Sequence, residues 1–402
     1  MMNELLHKNL AASANQFPDQ DAFRCGQQSL TYADLERRSS QLAACLQESG
    51  VGRGDRVGIR LAPGIEASVA VYGILKTGAA FVPIDPHAPA ERLIRILNTG
   101  RIRHLVTTGF TETLRAAVVE ACPALQFLIS AESSATDRLK SISWTAVETF
   151  GATFRSRPID GSDPAYVIFT SGSTGVPKGI VHTHDSGQSY ARLSVAEYAV
   201  TERDRIASPS PLHFDMSTFG YLSAVKAGAT TVLIPEAYLK LPASLSQLLQ
   251  DESVSIWYSV PFLLIQLSNR GAMDQRDLSS LRWVMFGGEP FPPRHLYKLM
   301  EVLPAAQFSN VYGPAEVNQC TRYTVPAGFE NRADANELPP IPIGKVWAET
   351  DALIVDADDK EVLGEQPGEL LVHSSTMMSD YWETSLIDSN VFYQADGGSL
   401  QT

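Results

Sequence analysis

Short apolar runs and amphipathic stretches alternate along the first 320 or so residues of the chain. The apolar runs are mostly rich in β-branched or aromatic side chains, which is typical of buried strands. They lie at 57–61, 80–84, 104–107, 166–170, 231–234, 255–260 and 283–286. Helix-like stretches lie between them at 32–49, 67–77, 90–97 and 243–250. This alternation predicts an α/β fold with parallel sheets covered by helices, and the number of strands favours more than one sheet.

The pattern changes after about residue 340. Strand-like runs at 350–355, 368–373 and 391–394 are separated by turn signals, without clear helices between them. Strands separated by turns predict a smaller β-rich unit, either barrel-like or a sandwich. We therefore expect the chain to divide near residue 335, with two interleaved α/β subdomains over 1–335 and a barrel-like subdomain over 336–402.

Length and charge limit the classes of partner. A chain of 402 residues exceeds one ordinary core, so two or three packed units are expected. The formal net charge of −13 argues against nucleic acid or an anionic membrane as the main partner. Any anion that this protein binds must therefore be held by local donors.

Cysteine usage and hydropathy bear on the compartment. Cys25, Cys45, Cys122 and Cys320 are scattered and form no closely spaced pair, which suits a reducing environment. The first residues lack the apolar core of a signal peptide, and no apolar run reaches transmembrane length. We expect a soluble, cytoplasmic protein.

The segment 168–180 carries the strongest chemical signal. Hydroxyl-bearing residues and glycines mix in the order Thr170, Ser171, Gly172, Ser173, Thr174 and Gly175, and Lys178 follows a proline. Backbone N–H groups, hydroxyls and one cation on a flexible loop can wrap a polyphosphate. The spacing is not that of a Walker A loop, which opens a helix with Gly-Lys-Ser/Thr. The alternative is a Ser/Gly turn between two strands with a solvated lysine.

A second motif occupies 310–316. Gly313-Pro314 forces a turn after an apolar strand and presents Tyr312 and Glu316 at the carboxyl end of that strand, where α/β sheets bind ligands. Tyr312 is suited to stack on a flat ring, and Glu316 is suited to a hard divalent cation. The alternative is a strand–helix turn with Glu316 in the first helical turn.

A third motif centres on Asp215, which has apolar neighbours at the predicted start of a helix. Helix N-capping is one explanation for this carboxylate. The other is selection of a substrate ammonium group, because an unpaired buried charge is costly. His182, His184 and His213 show no metal-liganding pattern, so we do not predict a metal site on them.

Together these segments resemble the adenylate-forming superfamily, specifically the amino-acid adenylation domains of nonribosomal peptide synthesis. The resemblance rests on five segments in the family's order, at 30–35, 75–85, 170–179, 310–316 and 368–382. It implies a layered αβαβα core of two sheets, with a smaller barrel-like subdomain. It also implies ATP-dependent activation of an α-amino acid to aminoacyl-AMP with release of pyrophosphate, and transfer to the phosphopantetheine thiol of a carrier protein.

The resemblance also implies roles for individual residues. The implied catalytic residues are Thr170, Ser171, Thr174, Lys178 and Glu316, with Glu316 holding Mg²⁺. The implied ATP-binding residues are Ser171, Gly172, Ser173, Thr174, Gly175, Lys178, Gly287, Gly288, Glu289, Asn310, Val311, Tyr312, Gly313 and Ala315. Asn310 would bond the adenine amino group and Tyr312 would stack on the ring. The implied amino-acid pocket comprises Asp215, Met216, Phe219, Tyr258, Val284, Phe286, Val311, Gln319 and Cys320.

That pocket would contain no charged group besides Asp215, so it predicts a small or compact neutral side chain. Tyr258, Cys320 and the segment 212–215 resemble stand-alone prolyl-type ligases, which favours proline. Two alternatives stay open: an acyl- or aryl-CoA ligase on the same fold, which would not need Asp215, and a non-catalytic nucleotide-binding relative.

The sequence departs from the family pattern at two places. Ala315 stands where the family has a threonine that touches the α-phosphate. The chain also stops near the family's Thr-Gly-Asp motif, before the ribose-binding aspartate, the hinge and the small C-terminal domain with its catalytic lysine. We therefore expect the chain to be the N-terminal portion of a longer enzyme and to adenylate poorly alone.

Overall fold

The computed structural model describes residues 5–130, 139–154, 158–171, 177–327, 339–362, 364, 366–382, 392–395 and 398–401. In chain order the strands are β1 (Asp21–Cys25), β2 (Gln28–Thr31), β3 (Arg56–Arg60), β4 (Ala80–Pro83), β5 (His104–Thr107), β6 (Phe127–Ser130), β7 (Lys140–Ser143), β8 (Pro164–Ser171), β9 (Pro177–Thr183), β10 (Arg205–Ser208), β11 (Thr230–Leu233), β12 (Ile256–Ser259), β13 (Trp283–Gly287), β14 (Gln307–Tyr312), β15 (Thr321–Thr324), β16 (Lys345–Val346), β17 (Thr350–Val355), β18 (Glu369–Ser374), β19 (Asp380–Trp382), β20 (Phe392–Ala395) and β21 (Gly398–Gln401).

The helices are α1 (Leu6–Gln16), α2 (Tyr32–Glu48), α3 (Ile65–Thr77), α4 (Ala90–Thr99), α5 (Glu112–Ala121), α6 (Trp144–Val147), α7 (His184–Glu197), α8 (Ala224–Ala227), α9 (Glu236–Leu239), α10 (Pro242–Asp251), α11 (Pro261–Arg270) and α12 (Pro293–Val302). A π-helical segment, Phe219–Ser223, leads directly into α8. A short 3₁₀ turn spans Met273–Gln275. Within these described ranges, no helix combines the length and the apolar character needed to cross a membrane.

Two large sheets form the body of the molecule. The nine-stranded sheet has the order β16-β15-β14-β13-β12-β10-β11-β1-β2, in which the six central strands β14 to β1 run parallel. The eight-stranded sheet has the order β19-β9-β8-β4-β3-β5-β6-β7 and is parallel from β8 to β7. Parallel neighbours joined by helical crossovers explain why these strands read as continuous apolar runs.

The helices and sheets alternate in layers. One core joins α2 and α3 to strands of both sheets, including Phe23 of β1 and Tyr166 of β8. Helix α3 is buried on every side except at Glu66, as expected of a helix between two sheets. A second core packs α10, α11 and α12 on the outer face of the nine-stranded sheet, and a third packs α4 and α5 on the eight-stranded sheet. The predicted αβαβα layering is confirmed.

The smaller β-rich unit differs in detail from its prediction. Strands β17, β18, β21 and β20 form a four-stranded antiparallel sheet whose described strands do not close into a barrel. Two strands of the same region join the large sheets instead: β16 pairs with β15, and β19 pairs with β9. The division near residue 335 stays a prediction, and the chain on either side of it shares sheets.

Candidate active site

The site lies where the carboxyl ends of β10, β12, β13 and β14 face the β8–β9 hairpin. The loop after β14 is fastened to that hairpin by His182 of β9, whose Nε2 donates to the carbonyl oxygen of Ala315 at 2.9 Å. The amide of Met378 donates to the Glu316 carbonyl at 2.7 Å. Both bonds go to the main chain, so they fix the loop whatever side chains it carries.

His182 is a positioning residue, a role that the sequence analysis did not assign to it when it excluded a metal site there. Burial lowers its pKa to about 4, so the ring is neutral and Nε2 carries the proton that Ala315 accepts. Its Nδ1 lies 3.3 Å from the Ser186 hydroxyl, and its ring stacks on Tyr166 with centroids 4.7 Å apart. The signal for it was its place on the strand that immediately follows the phosphate-type segment.

Glu316 and Lys178 approach each other around Tyr381. The Tyr381 hydroxyl donates to Glu316 Oε1 at 2.7 Å, and Lys178 Nζ lies 5.7 Å from the centre of the Tyr381 ring. Tyr381 reaches this place because β19 pairs with β9, with Tyr381 opposite Ile180. The predicted cation-binding carboxylate and the predicted phosphate-binding lysine therefore face one region.

The phosphate-type segment is a hairpin. Thr170 of β8 is paired with Lys178 of β9, and Ser171 with Pro177. The predicted loop residues Gly172, Ser173, Thr174 and Gly175 lie outside the described residues. Packing explains the glycine at position 179, because a Cβ there would lie 2.9 Å from Trp382 Cβ and 3.0 Å from Phe169 Cζ.

Strand β14 separates two kinds of surface. Side chains alternate across a strand, so Asn310 and Tyr312 share one face and Val311 occupies the other. Asn310 Nδ2 donates to the Pro342 carbonyl at 2.8 Å, and Tyr312 is 41% exposed. Val311 packs in an aromatic cluster with Tyr258. The predicted adenine residues and the predicted amino-acid pocket therefore occupy opposite faces of one strand.

Glycines shape the adenine side. A Cβ on Gly287 would lie 2.2 Å from the Val311 carbonyl oxygen, and a Cβ on Gly313 would lie 2.7 Å from the Asn318 oxygen. Gly288 has a φ of +86°, which favours glycine. Glu289 Oε1 accepts from the amide of Phe262 at 2.8 Å, so this side chain also caps the start of α11.

Asp215 follows β10 and precedes the π-helical segment. Its Oδ1 accepts from the Met216 amide at 2.9 Å. Burial, with a smaller contribution from the nearby charge of Glu316, raises the pKa of this carboxyl to about 6 against the lowering effect of that hydrogen bond. Among the described residues Asp215 forms no ion pair, which distinguishes it from a carboxylate held in a salt bridge.

Aromatic side chains surround the space beside Asp215. Phe219 packs edge-to-face with Tyr198 at 5.9 Å and with Tyr258 at 6.0 Å. Tyr190 and Tyr258 lie close enough to Asp215 for its charge to raise the pKa of each hydroxyl, although burial is the larger cause. Together they form a largely apolar cluster beside one carboxylate.

The geometry agrees with what comparison with known proteins shows. The sequence profile described as "AMP-binding enzyme" matches residues 10–382. The chain belongs to the AMP-binding enzyme family. This membership confirms the family expected from the motifs and, with it, an AMP-forming ligase that uses ATP.

The relatives within this family are adenylating ligases and peptide synthases. An L-proline–[L-prolyl-carrier protein] ligase of Pseudomonas fluorescens is 30% identical over 380 residues, covering 94% of this chain and 74% of that protein. Bacitracin synthase 1 of Bacillus licheniformis is 32% identical over 384 residues, covering 94% of this chain and 7% of the synthase. The nonribosomal peptide synthetase FmoA3 in its AMPPNP-bound form has a TM-score of 0.84 at 28% identity, covering 100% of this chain and 40% of that one. Its alpha-methyl-L-serine-AMP-bound form has the same TM-score and identity, and 43% of that chain is covered.

The structure contradicts two residues of the predicted amino-acid pocket. Val284 and Phe286 face the core beneath α11 and α12, on the opposite side of β13 from the aromatic cluster. The residue of β13 that packs with Tyr258 is Met285, because strand alternation places 283 and 285 together on that face. Each of the two predicted positions on β13 is one residue away from Met285. A shift of one residue along a strand moves the side chain to the opposite face.

Most of the remaining predicted pocket residues belong to the aromatic cluster, but Cys320 does not. Met216, Phe219, Tyr258 and Val311 belong to the aromatic cluster. Gln319 is buried and donates from Nε2 to the Tyr198 hydroxyl at 3.4 Å. The last of them, Cys320, packs in a separate small cluster below the β18 strand and donates to the Tyr312 carbonyl at 3.5 Å.

Proposed function

We propose that this chain activates an α-amino acid with ATP, forming aminoacyl-AMP and pyrophosphate, and that the phosphopantetheine thiol of a carrier protein then attacks the acyl carbon, forming a thioester and releasing AMP. The observation that carries the proposal is Asp215, a carboxylate with no cationic partner among the described residues, beside an aromatic pocket. A substrate ammonium would supply the missing positive charge. The cytoplasm stays the predicted compartment.

The relatives support both halves of the reaction. The Pseudomonas ligase is named for loading proline onto a carrier protein, and FmoA3 has been solved with AMPPNP and with an aminoacyl-AMP. Because the chain covers 40% of FmoA3 and 7% of bacitracin synthase 1, we infer only the adenylation half from these two.

In this proposal the chain's own residues act by position and charge. Asp215 would hold the ammonium group so that the substrate carboxylate can attack the α-phosphorus of ATP. Asn310 and Tyr312 would hold the adenine, while Lys178 and the hydroxyls of the 170–175 segment would neutralise the departing pyrophosphate. Tyr381 would orient Glu316 through the hydrogen bond to Oε1.

Glu316 is also the residue that would hold Mg²⁺. A carboxylate is a ligand of the hard-oxygen type that this ion prefers, and the contact with Tyr381 occupies only Oε1. A bound Mg²⁺ would neutralise charge on the phosphates. Ala315 packs its methyl group against Ile180, Met378 and Tyr381, so the position usually held by threonine is here part of an apolar contact.

The substrate side chain is proposed to be compact and neutral. Phe219, Tyr258 and Met285 pack together in the aromatic cluster, and Asp215 is the one charged residue among the predicted pocket residues. The Pseudomonas relative makes proline one candidate.

The test is amino-acid-dependent exchange of pyrophosphate into ATP, measured for the proteinogenic amino acids on the full-length protein. Asp215→Ala should reduce kcat/KM at least about 100-fold for the preferred amino acid, because one charge-assisted contact is lost. Asp34→Ala, which removes an exposed carboxylate on α2, is the matched control and should leave exchange unchanged.

Two outcomes would favour the other candidates. An acyl- or aryl-CoA ligase would form a thioester with CoA, give no exchange with amino acids and tolerate Asp215→Ala. A non-catalytic relative would bind ATP in calorimetry and show no exchange with any acid.

A further inference from the structure

The amino-acid side of the site contains buried polar atoms that the described part of the protein leaves without hydrogen-bond partners. Gln319 is 1% exposed, and its Oε1 has no partner there. Trp347 is 3% exposed, and its Nε1 likewise has none. Native proteins pair nearly all such groups, so two of them near one pocket call for an explanation.

Gln319 contacts the aromatic cluster beside Asp215 through Tyr198. Phe219, in the segment that follows Asp215, packs edge-to-face on Tyr258 with ring centroids 6.0 Å apart and on Tyr198 with centroids 5.9 Å apart. Tyr198 in turn accepts the hydrogen bond from Gln319 Nε2 and lies 3.4 Å from the Ser309 hydroxyl. The contacts therefore connect the aromatic cluster beside Asp215, through Phe219 and Tyr198, to the Gln319 amide.

The amide is oriented with Nε2 towards the Tyr198 hydroxyl, to which it donates. The Tyr198 hydroxyl can donate its proton to Ser309 Oγ and accept one from Gln319 Nε2. This leaves Oε1 as the free atom of the side chain, and an amide oxygen can only accept. A ligand that satisfies it must carry a hydrogen-bond donor.

Trp347 supplies the complementary group in the same cluster. Its ring packs edge-on against Tyr190 with centroids 5.9 Å apart, and its backbone amide donates to the Cys320 carbonyl at 2.8 Å. Trp347 and Val311 are both members of the cluster that includes Phe219 and Tyr258. The indole N–H can only donate, so a ligand that satisfies it must carry an acceptor.

We propose that the amino acid activated here carries a hydroxyl group on a compact side chain, which donates to Gln319 Oε1 and accepts from Trp347 Nε1. A hydroxyl is the small neutral group that does both. This inference rests on the proposed function and sharpens it. Proline has no side-chain donor once its amine faces Asp215, so this chain differs in substrate from the Pseudomonas ligase.

The experiment measures pyrophosphate exchange on the full-length protein with matched substrate pairs: threonine against valine, serine against alanine, and 4-hydroxyproline against proline. In the preferred pair, the hydroxylated member should have a kcat/KM at least about 100-fold higher, because a site built around a hydroxyl strongly rejects the analogue that lacks it. Equal rates, or preference for the apolar member in every pair, would overturn the inference.

Variants assign the effect to the named atoms. Gln319→Leu removes the amide at similar volume and should reduce the preference to less than about tenfold. Trp347→Phe should reduce it less, because it removes only the donor. The matched control is Gln41→Leu, which removes another buried glutamine, one that donates to the Glu148 and Phe150 carbonyls, and it should keep the full preference.

The outcomes separate this inference from the proposed function. Exchange that is insensitive to the hydroxyl would leave adenylation standing and overturn the inference alone, and it would point to a buried water on Gln319. No exchange with any amino acid would overturn both. If Gln319→Leu does not fold, calorimetry of the unaltered protein with threonyl and valyl sulfamoyl-adenosine analogues decides the matter, and a difference in Kd below tenfold would contradict the proposal.

Discussion

The two faces of strand β14 differ in how their polar groups are paired or exposed. On the face of Asn310 and Tyr312, the chain is shaped by glycines and main-chain hydrogen bonds, and the side chains stay partly exposed. On the face of Val311, aromatic side chains are buried, and Gln319 Oε1 and Trp347 Nε1 have no partner in the described protein. Within the described residues, the adenine side thus has polar side chains that are hydrogen-bonded or exposed, while the amino-acid side retains buried polar groups that a substrate would satisfy.

The largest effect is expected from a change that damages both faces. Gly287→Ala places a Cβ about 2.2 Å from the Val311 carbonyl oxygen, so β13 and β14 must move apart. We expect a loss of about 1–3 kcal/mol in the free energy of unfolding. Exchange should fall about 100-fold, because displacements near 1 Å impair positioning. Thermal unfolding and exchange kinetics measure the two effects.

Gly64→Ala is the control for that substitution. A Cβ at Gly64 would have its nearest neighbour at 3.7 Å, and the backbone there is extended. Both stability and exchange should be unchanged. If Gly287→Ala behaved like this control, the close approach of β13 and β14 would not be what shapes the site.

A change of pH should affect the affinity for the amino acid more than the affinity for the nucleotide. The pKa of Asp215 is raised to about 6, so the carboxylate that would bind the ammonium is lost as the pH falls through that value. Amino-acid affinity should decrease about tenfold between pH 8 and pH 5, while AMPPNP affinity changes less. Calorimetric titration with each ligand separates the two.

Asp215→Asn tests the cause of that pH effect. A raised pKa means that the folded state favours the protonated acid, so the cost of ionising Asp215 is complete above pH 6, decreases as the pH falls from about 6 to about 4, and is absent below the ordinary pKa of the carboxyl. The variant should therefore have a free energy of unfolding about 1–3 kcal/mol higher than that of the unaltered protein at pH 8, and only about half of this advantage should remain at pH 5. It should also bind amino acid weakly at every pH. A variant less stable than the parent at pH 8 would contradict this account.

The smallest effect is expected on the nucleotide face. Tyr381→Phe removes the hydroxyl that donates to Glu316 Oε1 and keeps the ring near Lys178. One neutral donor to a partly exposed carboxylate contributes about 1 kcal/mol, so KM for MgATP should rise about fivefold. KM for the amino acid should stay constant. A rise in the amino-acid KM instead would show that Glu316 serves the other face.

The sequence was sufficient for the layers and for the order of the motifs. Strand and helix periodicities identified most of the parallel strands near their observed places, and the αβαβα arrangement followed from the family resemblance. It could not show that β19 joins the eight-stranded sheet, because three residues carry no periodicity and their partner β9 lies about 200 positions earlier.

Side-chain faces were the weaker part of the prediction. Val284 and Phe286 were placed in the pocket, whereas Met285 lies there, because the register of β13 is set by pairing with β12 and β14 and not by the run of apolar residues alone. His182 and Tyr381 were missed as parts of the site for a related reason. Their roles depend on a carbonyl and a carboxylate that approach from distant segments.

The pairing of β19 with β9 has a consequence for synthesis on the ribosome. The edge of the eight-stranded sheet that bears Lys178 stays unpaired until Asp380–Trp382 has left the exit tunnel. Trp382 then closes that edge, with its indole donating to the Thr99 carbonyl and Arg56 lying over the ring at 4.3 Å. Until then the nascent chain presents an open strand edge, which is a site for wrong pairing and aggregation.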